Sequence, residues 1–131
     1  MDKPEQAKKI ILIVDDSVII IDRLIAFLES LASEHLVLTC NTYQQALQAI
    51  NEKDPDVAVL DINLPDGNGI GLLRYIKKHK PAVAVIMFTN QSTDFYRQLC
   101  LREGAAFFID KSSGFDGLSE SIGSLLRQSS K

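Results

Sequence analysis

Five short apolar runs alternate with amphipathic segments along this chain of 131 residues, and this alternation constrains the fold more than any other feature. The runs begin 21 to 27 residues apart, which leaves room for one helix in each gap. Most are continuous rather than alternating, as expected for parallel strands that are covered on both faces. The predicted strands are Lys9–Val14, Leu36–Cys40, Val57–Leu60, Val83–Phe88 and Ala106–Ile109.

Helical periodicity fills the gaps between these runs and follows the last one, although the pattern over residues 93–103 is weaker than elsewhere. Strands that alternate with helices predict an α/β fold, with one doubly wound parallel sheet and helices on both faces. Pro and Gly residues separate the elements, and residues 65–67 predict a turn between the third strand and the next helix. The chain shows no repeat or linker. We expect one domain over residues 9–127, a flexible segment at 1–8 and a flexible tail at 128–131.

The composition excludes several classes of protein. A formal charge of -3 offers no basic surface, so we expect no direct binding of nucleic acid. No apolar stretch approaches the ~20 residues of a membrane span, and the polar start is not a signal sequence. Cys40 and Cys100 lack a CxxC pattern. We therefore expect buried, reduced thiols in the cytoplasm, while a disulfide between them stays open.

Polar side chains follow four of the five predicted strands. In an open parallel α/β sheet, ligands bind outside the carboxyl ends of the strands. We therefore expect three acids, one hydroxyl and one ammonium group to lie together at one edge of the sheet. In chain order they are Asp15, Asp16, Asp61, Thr89 and Lys111.

Each of these residues also has a purely structural explanation. Asp16 or Ser17 could cap the first helix. Thr89 could cap the next segment, and Lys111 could be a solvated loop residue. As a group they indicate more, because two carboxylates about 4 Å apart repel by roughly 4 kcal/mol at an effective dielectric near 20. Such a cluster favours a bound cation, and its hard oxygen ligands suit Mg²⁺ beside phosphate oxygens.

Five features follow one another along the chain: the acidic pair in VDDS, the segment LDINLPDGNG, the Thr of MFTN, the aromatic-x-x-Lys pattern of FIDK, and the spacing among them. Together they resemble the receiver domain of bacterial two-component response regulators, with an architecture close to that of the chemotaxis receiver. The resemblance covers Lys9 to Arg127. It implies a five-stranded parallel sheet in the flavodoxin-like order 2-1-3-4-5.

The resemblance also implies a phosphorylation site. Asp61 would be the phosphoacceptor, which takes a phosphoryl group from a histidine kinase or a histidine phosphotransfer protein. Mg²⁺ or Mn²⁺ would be held by Asp16 and Asp61 directly. Asp15 would contribute mainly through water, and Asn63 through its backbone carbonyl.

A conformational switch is the third implication of the resemblance. Lys111 would place its charge against the phosphoryl oxygens, and Thr89 would hydrogen-bond another of them. Phe108 would turn into the space that Thr89 leaves, which reshapes the face of the fourth helix, fifth strand and fifth helix for a downstream effector protein. The alternative is a Phe108 that stays fixed in the core. The candidate residues for contact with a partner lie on the fourth helix and are Phe95, Tyr96 and Arg102.

Three residues depart from the commonest receiver pattern. Asn90 stands where a small residue is usual, and we expect its bulk to narrow access to the phosphoryl site. Ser112 stands where Pro is frequent, so the Lys111–Ser112 peptide bond is expected to be trans. Phe108 lacks the hydroxyl of the common Tyr. None of these changes removes a charged member of the site.

Other functions have less support in the sequence. Gly67, Gly69 and Gly71 do not form a dinucleotide-binding fingerprint, since its third glycine is missing. His35 and His79 are expected at the surface, and no hydrolase pattern is present. We therefore expect a signalling protein that catalyses only its own phosphorylation and dephosphorylation, and no other enzyme activity. The alternative is a receiver-fold interaction module that is never phosphorylated.

Overall fold

The computed structural model describes residues 8–30 and 35–129, and this part of the chain forms seven strands and five α-helices. The strands are β1 (Lys9–Val14), β2 (His35–Cys40), β3 (Val57–Leu60), β4 (Asn63–Leu64), β5 (Gly67–Asn68), β6 (Ala84–Thr89) and β7 (Phe107–Asp110). The helices are α1 (Val18–Glu29), α2 (Tyr43–Lys53), α3 (Gly69–His79), α4 (Asp94–Arg102) and α5 (Asp116–Ser129).

Five of the strands form one parallel sheet in the order β2-β1-β3-β6-β7. Since β6 and β7 are its fourth and fifth strands, the predicted order 2-1-3-4-5 is confirmed. The last two strands end one residue later than predicted, because Thr89 and Asp110 are still paired in the ladder between β6 and β7. Thr89 is therefore part of a strand end, where its backbone is held in place.

The helices cover both faces of the sheet, as predicted. Alternate residues of β1 show this division, since Leu12 and Val14 belong to one core cluster and Ile11 and Ile13 to the other. Residues of α2, α3 and α4 complete the first cluster, and residues of α1 and α5 complete the second. All four residues of the central strand β3 are buried, as its continuous apolar run indicates.

The segment after β3 differs from the simple turn that the sequence predicts. Residues 63–68 form an antiparallel hairpin of β4 and β5, with Pro65 and Asp66 at its tip. The Asp66 carboxylate accepts hydrogen bonds from the backbone N–H groups of Tyr43 (2.6 Å) and Gln44 (3.1 Å), at the start of α2. The sequence pattern missed this hairpin because the residues that anchor it lie more than 20 positions earlier in the chain.

Helix α4 confirms the weaker helical pattern, and Cys100 is its buried residue. Cys100 and Cys40 are both buried and free, so the disulfide is absent. Helix α5 continues to Ser129, two residues beyond the predicted end of the domain. The predicted flexible ends otherwise fall mostly on residues 1–7 and 130–131, outside the described residues. Within the described part of the chain, no helix combines the length and apolar character needed to cross a membrane.

Candidate functional site

The acidic residues of the site are fixed by the ends of the central strands. Asp15 directly follows β1, and its backbone N–H donates to the carbonyl of Cys40 at 3.0 Å. Asp61 directly follows β3, and its N–H donates to the carbonyl of Val14 at 3.0 Å. Both acids therefore extend the hydrogen-bond ladder of the sheet by one residue, and both are buried.

Lys111 joins these two acids. Its Nζ lies 2.7 Å from Oδ2 of Asp15 and 2.9 Å from Oδ2 of Asp61. The three side chains are only 9%, 3% and 8% exposed, so the alternative of a solvated Lys111 is wrong. Burial raises the pKa of Asp15, and the hydrogen bond from Lys111 offsets part of this effect. Burial lowers the pKa of Lys111, but the hydrogen bonds to both carboxylates and their negative charges together raise the pKa overall.

Thr89 occupies the other oxygen of Asp61. Its hydroxyl donates to Oδ1 of Asp61 at 2.7 Å, and both residues are buried. The same hydroxyl oxygen accepts a hydrogen bond from the N–H of Gln91 at 3.1 Å. It does not cap α4, because the hydroxyl of Thr93 accepts from the N–H of Tyr96 there. Each oxygen of Asp61 thus has a donor of its own.

The structure gathers the three predicted acids into one group. One oxygen from each of Asp15, Asp16 and Asp61 lies within 4.8 Å of the others, close enough for one metal ion to contact all three. Asp16 is the exposed member. Ser17 caps α1, since its hydroxyl accepts from the N–H of Ile20 at 3.3 Å. The Asp16 carboxylate is therefore not the helix cap, and the hard oxygens of the cluster suit a divalent cation.

The hairpin of β4 and β5 holds the backbone next to Asp61. Asn63, the fourth predicted metal-binding residue, lies in β4 and is exposed. The N–H of Gly69 donates to the carbonyl of Ile62 at 2.7 Å. A Cβ atom on Gly69 would overlap the carbonyl oxygen of Asp61, so only glycine allows this approach. The sequence placed Gly69 near a turn that leads into a helix, but it did not reveal this close approach to Asp61.

Phe108, the predicted switch residue, is buried and contacts α4. It is 7% exposed, and the guanidinium carbon of Arg97 lies 5.0 Å from the centroid of its ring. Nη1 of Arg97 also donates to the carbonyl of Phe108 at 3.1 Å. Arg97 was missed by sequence reasoning, because nothing in the pattern of α4 indicates which side chain reaches β7.

The remaining predicted positions lie around this core. Phe95 is 69% exposed and meets the ring of Tyr96 edge-on at 5.4 Å, and Arg102 is also exposed. Asn90 is exposed immediately after the buried Thr89. Over residues 8–30 and 35–129 no peptide bond is cis, which confirms the trans bond before Ser112.

Comparison with known proteins identifies the family. The model of the response regulator receiver domain matches residues 11–123, which is most of the chain. The chain belongs to this family. It is therefore a receiver domain of two-component signal transduction, with an acidic pocket at the expected edge of its sheet.

Relatives of this receiver domain are mostly longer proteins. A protein-glutamate methylesterase/protein-glutamine glutaminase of Bacillus licheniformis is 37% identical over 79% of this chain and 29% of its own length. The DNA-binding transcriptional activator EvgA of Escherichia coli is 27% identical over 59% of this chain and 38% of its own. The chain spans about half or less of the length of these and the other most similar curated relatives.

A solved receiver structure confirms the fold. The signal receiver domain of a LuxO repressor protein from Vibrio parahaemolyticus superimposes with a TM-score of 0.87. The match covers 93% of this chain and 92% of that one, at 23% sequence identity. At this identity the likeness is evidence for the receiver fold alone.

Proposed function

We propose that Asp61 accepts a phosphoryl group from a histidine kinase or a histidine phosphotransfer protein. One observation carries the proposal: the buried Asp61 carboxylate lies between Lys111 and Thr89, beside two further acids. Lys111 and Thr89 contact the unphosphorylated carboxylate at 2.9 and 2.7 Å. Both donors are therefore close enough to contact the oxygens of a phosphoryl group attached to Asp61. This arrangement supplies the positioning and charge neutralisation that phosphoryl transfer requires.

The transfer exchanges one bond for another. An oxygen of Asp61 attacks the phosphorus, and the bond between phosphorus and the donor's imidazole nitrogen breaks, with its electron pair remaining on the nitrogen. Asp15, Asp16, Asp61 and the carbonyl of Asn63 would hold Mg²⁺ or Mn²⁺, which would neutralise negative charge on the phosphoryl oxygens. The oxygen donors of the acidic cluster fit such an ion.

Lys111 and Thr89 act on the transferred group in this proposal. The ammonium of Lys111 stabilises the negative charge of one phosphoryl oxygen. It stays protonated at neutral pH because its pKa is raised. The hydroxyl of Thr89 donates to a second oxygen. The Phe108 ring turns into the space that Thr89 leaves. The face formed by α4, β7 and α5 then binds a downstream effector protein.

An exposed apolar pair supports a protein as the phosphodonor. Val18 and Ile19 begin α1, separated from the acidic pair only by the capping residue Ser17, and both are 65% exposed. Apolar surface next to a reactive carboxylate favours docking of another protein over a small polar substrate. The donor's phosphohistidine would reach Asp61 past this pair.

The wider setting of the protein follows from the family. We propose that it works in the cytoplasm and that its catalysis is limited to its own phosphorylation and dephosphorylation. The methylesterase relative is an enzyme by name and EvgA is DNA-binding by name, but the chain spans 29% and 38% of them. For the chain itself, a formal charge of -3 disfavours a nucleic-acid surface.

The test is phosphorylation by a small donor. Protein is incubated with Mg²⁺ and acetyl phosphate, and intact mass is measured for the wild type, Asp61→Ala and Asp116→Ala. Asp116 is a matched control because it is an exposed aspartate at the start of α5. We expect one phosphoryl group on the wild type and on Asp116→Ala, and none on Asp61→Ala. An adduct that survives in Asp61→Ala would refute the assignment, and no adduct with any donor would favour the unphosphorylated interaction module.

A further inference from the structure

Helix α4 is joined to the sheet by two polar tethers. Cys100 is the buried residue of α4, whereas α3 buries five residues. Just before the helix, the hydroxyl of Ser92 donates to Oδ2 of Asp110 at 2.7 Å. In the middle of the helix, Nη1 of Arg97 donates to the carbonyl of Phe108 at 3.1 Å. Both tethers end on β7, the strand that carries the switch residue.

Arg97 contacts Phe108 a second time, through the ring. The guanidinium carbon lies 5.0 Å from the ring centroid, within the range at which a cation is attracted to an aromatic face. The ring is packed in the core cluster that α2, α3 and α4 share with the sheet. Arg97 thus contacts the backbone of Phe108 by a hydrogen bond and its ring by a cation–π interaction.

Rotation of Phe108 out of the core would cost these contacts. The ring, now 7% exposed, would lose its apolar packing, and the guanidinium would lose its aromatic partner. The hydroxyl of Thr89, the residue that Phe108 is expected to follow, donates to Oδ1 of Asp61. All of these contacts are made between residues of the chain, so none of them requires a phosphoryl group. The buried arrangement of Phe108 therefore has a stabilisation of its own.

We propose that Arg97 is a positioning residue that holds Phe108 in its buried rotamer and so sets the balance of the α4–β7 face. The proposal deepens the proposed function, because it takes Phe108 to be the residue that reports phosphorylation. A phosphoryl group shifts such an equilibrium only as far as its contacts differ between the two states. Because Arg97 favours the buried state before phosphorylation, it sets how far phosphorylation can shift the population of that state.

The experiment follows the Phe108 ring directly. Protein labelled in its phenylalanine rings is studied by NMR in EDTA without a phosphodonor, and the Phe108 signal is assigned by its loss in Phe108→Leu. We compare the wild type with Arg97→Ala, Arg97→Lys and Arg102→Ala. Arg102 is the matched control, since it is an exposed arginine on the same helix and its loss changes the charge equally.

We expect the ring of the wild type and of Arg102→Ala to give one buried environment. In Arg97→Ala the outward rotamer should rise several-fold, seen as exchange broadening and a shift towards the value of a solvated ring. Arg97→Lys should be intermediate, because lysine keeps the charge but lacks the planar fork that stacks and donates at once. Identical Phe108 signals in Arg97→Ala and Arg102→Ala would overturn the proposal.

Two further results keep the outcome decisive. If Arg97→Ala loses the amide dispersion of a folded protein, Arg97→Lys and Arg97→Gln are compared instead, and unchanged Phe108 signals in both would overturn the proposal. Acetyl phosphate and Mg²⁺ are then added, and the change at Phe108 should be at least twice as large in Arg97→Ala as in the wild type. The first measurements contain no phosphodonor and so do not depend on phosphorylation. If the Phe108 signal changes in the Arg97 variants but no phosphoryl group is ever added to the protein, the proposed role of Arg97 is supported and only the proposed function is refuted.

Discussion

Replacing Lys111 by methionine tests the buried ion cluster most directly. Lys111→Met keeps much of the side-chain length but removes the charge that neutralises Asp15 and Asp61 at 2.7 and 2.9 Å. Removing one partner of a buried ion pair costs about 3–5 kcal/mol, because it leaves an uncompensated charge. Burial already raises the pKa of Asp15, so this carboxyl can escape part of the penalty by binding a proton. We therefore expect a loss of about 3 kcal/mol at neutral pH, near the lower limit of that range.

Lys80→Met is the matched control for this loss. The Nζ of Lys80 lies 2.7 Å from Oδ1 of Asp54, the same distance as in the buried pair, but the Asp54 side chain is 71% exposed. Exposed pairs contribute about 1 kcal/mol or less. For a chain of this length a loss of about 3 kcal/mol lowers Tm by roughly 10 °C, against roughly 3 °C for the control. Thermal and urea unfolding in EDTA measure both. Equal losses in the two variants would refute the argument that burial decides the magnitude.

Magnesium should rescue the Lys111→Met variant. A divalent ion in the acidic cluster supplies the positive charge that the variant lacks, and a ligand at 100 times its Kd stabilises a protein by about 2.7 kcal/mol. The increase in Tm on adding Mg²⁺ should therefore be larger in the variant than in the wild type, in which Lys111 competes for the same carboxylates. An equal or smaller increase would show that the ion and the ammonium do not share these oxygens.

Three further predictions concern substitutions at Asp15, Asp66 and Gly69. Asp15→Asn should be at least as stable as the wild type in EDTA at neutral pH, because burial raises the pKa of Asp15 and makes its ionisation unfavourable. This gain in stability should vanish below about pH 3.8, where the wild-type carboxyl is protonated in both the folded and the unfolded chain. The Mg²⁺ affinity of the variant, measured by a thermal-shift titration, should fall at least tenfold. Asp66→Ala should lose stability, because hydrogen bonds from two backbone N–H groups stabilise the ionised carboxylate and lower the pKa of Asp66. The difference in unfolding free energy between wild type and variant, measured by urea titration, should be complete above about pH 3.8 and fade as the pH falls below it. Gly69→Ala should weaken Mg²⁺ binding and lower Tm, since its Cβ would overlap the carbonyl oxygen of Asp61, whereas Gly71→Ala meets only a flexible ring at 3.3 Å or more and should lower Tm less. Equal Tm losses for the two glycine variants, or an Asp66→Ala difference that persists at pH 2, would contradict these arguments.

The layout of the fold follows from local properties of the sequence. Continuous apolar runs, helical periodicity and breakers each act over a few neighbouring residues, and they predicted all five strands of the main sheet to within one or two residues. The position of the site followed from one general rule about parallel sheets. Asp15, Asp61, Thr89 and Lys111 meet as predicted because a strand delivers its last residue to the same edge whatever its side chains do.

The contacts within the site required the tertiary structure. The sequence left open whether Asp16 or Ser17 caps α1, and in the structure the Ser17 hydroxyl accepts the capping hydrogen bond. The sequence also could not show that Lys111 bridges two acids, because a long side chain reaches several places from one backbone position and burial selects among them.

The pairing of elements that are distant along the chain shows the same division most clearly. By itself, the sequence determined that a turn follows Asp61 and that a weakly amphipathic helix precedes β7. Only the folded chain placed Asp66 on the first turn of α2 and Arg97 over the ring of Phe108. Periodicity determines which face of an element is apolar. The partner of a single polar side chain depends on the distance, rotation and rotamers of elements that meet only after the core has packed.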